Sequence, residues 1–106
     1  MGNRLLLVVA AVLFSGPLCA QERGNVADGQ ILAREVCAEC HAVDEGFMIS
    51  PNPEAPSFTE IADKPGMTEL ALSVWFQSPH PTMPNFILEE KESRDLIAYI
   101  RSLRKY

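Results

Sequence analysis

Five consecutive residues restrict this 106-residue chain more than any others: Cys37-Ala38-Glu39-Cys40-His41. Two thiols three positions apart, followed at once by an imidazole, form the pattern of a c-type haem attachment site. At the end of a helix Cys37 and Cys40 lie on one face, so each thiol can bond one vinyl group of the same porphyrin. His41 then offers a ring nitrogen to the iron as the proximal ligand.

Three other uses of this motif fit the sequence less well. A closed structural zinc site needs four ligands, but no second cysteine pair exists and His80 is the one histidine outside the motif. A thioredoxin-like redox pair needs a βαβ setting, and no strand-like alternation surrounds the motif. A disulfide would close a very small loop and leave His41 without a role. Haem attachment is therefore the favoured interpretation.

The first 20 residues have the order of a secretory signal peptide. An arginine precedes an unbroken apolar run at 5–14, and small residues lead to Ala20. The run is half the roughly 20 residues that a membrane-spanning helix needs, which ranks an uncleaved anchor behind cleavage. A lipidated Cys19 is disfavoured because the residue before it is bulky. We predict cleavage after Ala20, export to the periplasm, and one mature domain over 21–106 without stable membrane insertion.

Size and charge narrow the function of the mature chain. Removing the first 20 residues leaves eight basic and fourteen acidic residues, a net charge of −6, which argues against nucleic-acid binding. A chain this short buries only about 60% of its unfolded surface, so its own core is marginal. Small domains of this kind usually depend on a disulfide, a metal or a cofactor. A covalent haem would supply the missing core.

The hydrophobic spacing and capping residues predict an all-α fold: three main helices and a short one around a covalently bound haem. A capping box is predicted at Ser57 and a cap at Thr68. The predicted helices run from an Asp28 cap to about Cys40, from Phe58 to Ala62, from Glu69 to Gln77 and from about Glu89 to Arg104.

A proline-rich segment at 78–86 separates the last two helices. Its three prolines stiffen the backbone, so one side chain can be held at a defined place. Met83 is the candidate for the sixth iron ligand, because a thioether is a soft ligand suited to haem iron. Met48 and Met67 are better placed to fill core space. The rival ligand is His80, which would give a bis-histidine iron, although a proline on each side restricts it.

With these features the chain resembles the class I c-type cytochromes, the small electron carriers of bacterial periplasms and mitochondria. The resemblance covers residues 24–104 and rests on separate motifs. The segment 37–41 matches the haem attachment motif, Met83-Pro84 matches the ligand loop, and 95–100 (DLIAYI) is similar to the signature of the C-terminal helix.

The resemblance implies roles for further residues. Gly29 matches the glycine at which the first and last helices cross closely, with Tyr99 packed against it. The carbonyl of Pro56 would accept a hydrogen bond from His41 and orient the ring. Trp75 stands where the family often places a buried aromatic residue beside a haem propionate.

Two positions depart from the family pattern. Ala33 stands where an aromatic residue is common at the helix crossing, so we expect a thinner contact there. Glu89 stands where a serine or threonine often caps the last helix, which weakens the predicted start of that helix.

His41 and Met83 on the two faces of a haem leave no open site for oxygen or peroxide. The resemblance therefore implies a one-electron carrier, not an enzyme. The alternatives are a haem enzyme or gas sensor with a labile Met83 bond, and an electron-input subunit of a larger oxidoreductase. We expect a monomer whose redox partner proteins present basic docking surfaces, with transfer rates that fall as salt rises.

Overall fold

The computed structural model describes residues 2, 16, 23–78 and 80–106 of the chain. The predicted signal segment lies outside the described residues except for positions 2 and 16. The described part of the chain is helical and contains no strand, which confirms the all-α prediction. The helices are α1 (Val26–Leu32), which continues into a π-helical segment (Ala33–Cys37), α2 (Phe58–Asp63), α3 (Glu69–Gln77) and α4 (Glu90–Ser102).

None of the helices in the described ranges combines the length and the apolar character that crossing a membrane requires. Helix α4 is central to the fold, because α1, α2 and α3 all pack against it. The buried apolar side chains lie along these contacts, with Leu96 and Ile100 of α4 the largest that are fully buried.

The first helix begins three residues earlier than the sequence predicts, so the prediction of an Asp28 cap is wrong. Asn25 is the cap, and its side-chain oxygen accepts a hydrogen bond from the Asp28 N–H at 3.1 Å. The N–H of Asn25 donates to Oδ1 of Asp95 at 2.7 Å. This contact with α4 fixes the helix start, and the local sequence does not reveal it.

The other helix starts follow local capping chemistry. Ser57 and Glu60 form the predicted capping box, with hydrogen bonds of 3.1 Å and 2.8 Å between each side chain and the other residue's N–H. The predicted cap at Thr68 is present as well. At α4 the carboxylate of Glu92 accepts the N–H of Glu89 at 2.9 Å. The start of the last helix is therefore capped, although no serine or threonine is present there.

Helices α1 and α4 cross so closely that two glycines are required. A Cβ atom at Gly29 would fall on the carbonyl oxygen of Asp95 and lie 2.8 Å from Cβ of Tyr99. The predicted crossing of Gly29 and Tyr99 is thus confirmed. Gly24, which the sequence analysis did not single out, meets the carbonyl of Arg94 in the same way. Ala33, which stands where an aromatic residue is common in the family, is fully buried in this core.

A buried carboxylate ties the start of α1 to α4. Asp95 is 5% exposed and accepts hydrogen bonds from the N–H of Asn25 at 2.7 Å and from Nζ of Lys91 at 2.5 Å. The ammonium of Lys91 also contacts Asp28 at 3.2 Å. The Lys91 ammonium and the Asn25 N–H together lower the pKa of Asp95 below its usual range.

We expect Asp95→Asn to destabilise the haem-bound protein by about 2 kcal/mol at neutral pH, because hydrogen bonds to the charged group are lost. A lowered pKa in the folded state gives stability that is present above the unfolded pKa of about 4 and is lost as pH falls through the folded pKa. Denaturant melts between pH 7 and pH 2 should therefore show the difference between the two proteins shrinking below pH 4.

Asp44→Asn is the matched control for Asp95→Asn. Asp44 makes an ion pair of 2.9 Å with Arg34, but both side chains are more than a third exposed. Exposed pairs contribute little to stability, so this variant should melt within about 0.5 kcal/mol of the parent. Equal losses for the two variants would contradict the special role of the buried carboxylate.

Candidate haem-binding site

The π-helical segment delivers the cysteine motif into a tight turn. Cys37 is its last residue, and the carbonyl of Cys37 accepts the N–H groups of Cys40 at 3.2 Å and His41 at 2.9 Å. The turn therefore folds the second cysteine and the histidine back toward the first. Both thiols are free, with no disulfide between them. Burial raises the pKa of the Cys37 thiol to about 11, which reflects its apolar surroundings.

The imidazole of His41 is held by a backbone carbonyl. Its Nδ1 lies 2.6 Å from the carbonyl oxygen of Pro56, and its ring packs at a tilt of 50° against Phe58, 5.4 Å between centroids. A carbonyl can only accept, so Nδ1 carries the proton and donates. The lone pair of the neutral ring is then on Nε2, the nitrogen that remains available to a metal.

An apolar cleft lies between α1, α3 and α4. The space between its walls is about 250 Å³ and includes open solvent. Cys37 and Met83 border this cleft, whereas Cys40, His41 and His80 do not. The lining is Leu32, Val36, Cys37, Phe76, Met83, Phe86, Leu88 and Leu96.

The segment before α4 holds Met83 with an unusual backbone. Thr82, immediately before it, has a φ of 69°, a left-handed conformation that a β-branched residue rarely adopts. Such a conformation costs about 1–3 kcal/mol and persists where the surroundings impose it, often at functional sites. Pro81 and Pro84 stiffen the chain on either side. No sequence pattern reveals the conformation of Thr82.

The two candidates for the sixth ligand touch each other. Nε2 of His80 lies 3.1 Å from Sδ of Met83. The ring of His80 also meets Trp75 edge to face, with 5.0 Å between centroids and 78° between planes. Trp75 itself is 51% exposed, and its implied contact with a haem propionate stays a prediction.

The other two methionines of the described region lie elsewhere. Met48 is half exposed, with its sulfur 3.8 Å from Oγ of Ser57. Met67 packs against the hydrophobic core.

These residues fit a haem better than a bare metal ion. Within 23–78 and 80–106, no group of three or more His, Cys, Asp or Glu side chains is arranged to hold a metal. A haem brings four porphyrin nitrogens to its iron, so the protein needs to add only axial ligands. Two free thiols, an oriented imidazole and an apolar cleft bordered by a thioether meet that requirement.

The fold and the site define a small all-helical protein with two free thiols, an oriented imidazole and an apolar cleft that suit a covalently attached haem. The sequence profile of the family described as Cytochrome c matches residues 26–104. The chain is also 37% identical over 100 residues to "Cytochrome c-552" of Bradyrhizobium diazoefficiens, covering 94% of this chain and 92% of that protein. No solved structure matches significantly.

The chain therefore belongs to the cytochrome c family. Membership confirms the predicted cofactor, a covalently bound c-type haem with its iron, and supports a haem-containing electron carrier.

Proposed function

We propose that this protein is a periplasmic one-electron carrier whose haem is bonded to Cys37 and Cys40 and ligated by His41 and Met83. The observation that carries the proposal is the apolar cleft that Cys37 and Met83 border together, next to the turn in which His41 is oriented by a backbone carbonyl. The bound haem supplies the one-electron iron couple. The chain supplies the ligands, an apolar surrounding and a fixed geometry.

The hydrogen bond from His41 to Pro56 sets the tautomer that iron ligation needs. Because Nδ1 donates to the carbonyl at 2.6 Å, Nε2 keeps its lone pair and the ring cannot rotate freely. Outer hydrogen bonds of this kind orient a ligand and raise its basicity. Pro56 is thus proposed as a positioning residue for His41.

The apolar cleft favours the reduced state. Excess charge is disfavoured in apolar surroundings, so burial raises the potential of the iron couple, and a thioether ligand acts in the same direction. Ligands from His41 and Met83 on both faces also leave no position for oxygen or peroxide. These features support electron transfer in preference to catalysis.

Optical spectra of the protein purified from a host able to attach haem test this proposal. We expect a c-type reduced spectrum and, in the oxidised protein, the weak long-wavelength charge-transfer band of a sulfur–iron bond. Met83→Leu should abolish that band, while Met48→Leu and Met67→Leu should keep it. Mass spectrometry of the same sample should give a chain beginning at Gln21 plus one haem.

Three results would overturn parts of the proposal. A c-type spectrum without the charge-transfer band in the parent protein would exclude Met83 ligation and favour His80 or an open site. Ready binding of carbon monoxide to the reduced parent protein would show a labile sixth ligand and favour a sensor or enzyme. A chain that retains residues 1–20 would contradict signal cleavage.

A further inference from the structure

The hydrogen bond between His80 and Met83 can have only one direction, with the imidazole as donor. A thioether sulfur accepts but has no proton to donate, so Nε2–H of His80 is the donor across the 3.1 Å separation. The other ring nitrogen, Nδ1, is buried and has no partner within the described part of the chain. The tautomer with the proton on Nε2 and the lone pair on Nδ1 leaves no buried N–H without a hydrogen-bond partner.

The imidazole is held in place from α3. Trp75 projects from that helix and meets the His80 ring edge to face at 5.0 Å. Pro81 and Thr82, whose backbone is left-handed, restrict the conformation of the chain between His80 and Met83. The position of the donor relative to the sulfur is therefore set by one short segment, with Trp75 of α3 packed against the ring.

We infer that His80 is a positioning residue for Met83, donating a hydrogen bond to the sulfur and thereby holding the thioether for iron. A thioether has two lone pairs, so a bond to His80 through one leaves the other for the metal. The N–H also withdraws electron density from the sulfur and places partial positive charge near the iron. Both effects disfavour the ferric state and raise the potential. This inference rests on the proposed ligation by His41 and Met83.

Three substitutions at one position test the hydrogen bond in the haem-bound protein. His80→Phe keeps a ring against Trp75 but removes the donor. His80→Gln places an amide N–H near the former Nε2, and His80→Asn places it near the former Nδ1, one atom nearer the backbone. Gln should therefore substitute for the histidine, and Asn, of similar chemistry, should not.

The readouts are the midpoint potential, the charge-transfer band of the oxidised protein and the affinity of the oxidised protein for added imidazole. We expect His80→Phe and His80→Asn to lower the potential. They should also bind imidazole about fivefold more tightly, because loss of the bond that positions the sulfur outweighs the stronger donation of the sulfur to iron. His80→Gln should return both quantities toward the parent values. A role limited to packing against Trp75 would not separate Gln from Asn.

The outcomes distinguish this inference from the proposed ligation. A parent charge-transfer band with unchanged potential and imidazole affinity in all three variants would overturn the role of His80 and leave Met83 ligation standing. A parent protein without the band, whose spectrum changes to an open site in His80→Phe, would make His80 the ligand and overturn both.

Discussion

A chain in which serine replaces both Cys37 and Cys40 is expected to carry no covalent haem and to be largely unfolded. Its protein core is too small to stand alone. Among the described residues, eleven apolar residues are buried, and three of them are alanines. A small domain with so little core depends on a cofactor for its stability.

The apolar side chains around the cleft support the same expectation. Phe76, Phe86 and Leu88 border the cleft that we assign to the haem. Phe76 and Leu88 already pack against the core, and a bonded haem would cover more of the apolar surface around them. Burial of apolar surface contributes about 25 cal/mol per Å², and the net stability of a small domain is only a few kcal/mol. Losing the haem contacts therefore exceeds the margin that keeps the chain folded.

Circular dichroism and urea denaturation of the purified double variant test this expectation. We expect little helical signal and no cooperative transition. The single variants Cys37→Ser and Cys40→Ser are the controls, because each keeps one thioether bond and should retain haem and a weakened cooperative transition. A fully cooperative melt of the double variant with no haem attached would contradict the argument.

Much of the fold follows from local sequence signals. The capping box at Ser57 and the cap at Thr68 place the starts of α2 and α3 where the sequence predicts them, because each cap satisfies N–H groups within its own first turn. The crossing of Gly29 and Tyr99 is also predictable, from the family resemblance.

Other features depend on contacts between distant residues. The start of α1 at Asn25 is fixed by Asp95, which lies 70 positions away. Nothing in the local sequence distinguishes Gly24 from other loop glycines, because its close contact is with the distant helix α4. The contact between His80 and Met83 requires the left-handed backbone at Thr82, and no propensity scale anticipates a threonine there. The sequence does identify the chemical groups of the candidate site, but their assignment as ligands stays a prediction.

Gly29→Ala is expected to destabilise the haem-bound protein by about 3 kcal/mol, although helix propensity alone favours the change. Alanine in place of glycine in a helix normally gains about 1 kcal/mol. Here the added methyl group would fall on the carbonyl oxygen of Asp95 and press on Tyr99. Backbone cannot move aside as a flexible side chain does, so α1 and α4 must separate, and overpacking of this kind costs about 1–3 kcal/mol or more.

Ala27→Gly is the matched control, because Ala27 lies on the exposed side of the same helix. Its loss should be about 1 kcal/mol, from propensity alone. Denaturant melts of both haem-bound variants measure the difference, and a stabilised Gly29→Ala protein would contradict close crossing at this glycine. Separation of α1 and α4 would also move Leu32 and Leu96 apart, and both residues border the cleft. A change in helix packing would therefore alter the surroundings of the proposed haem. Gly29→Ala should then also tighten imidazole binding to the oxidised protein, whereas Ala27→Gly should not.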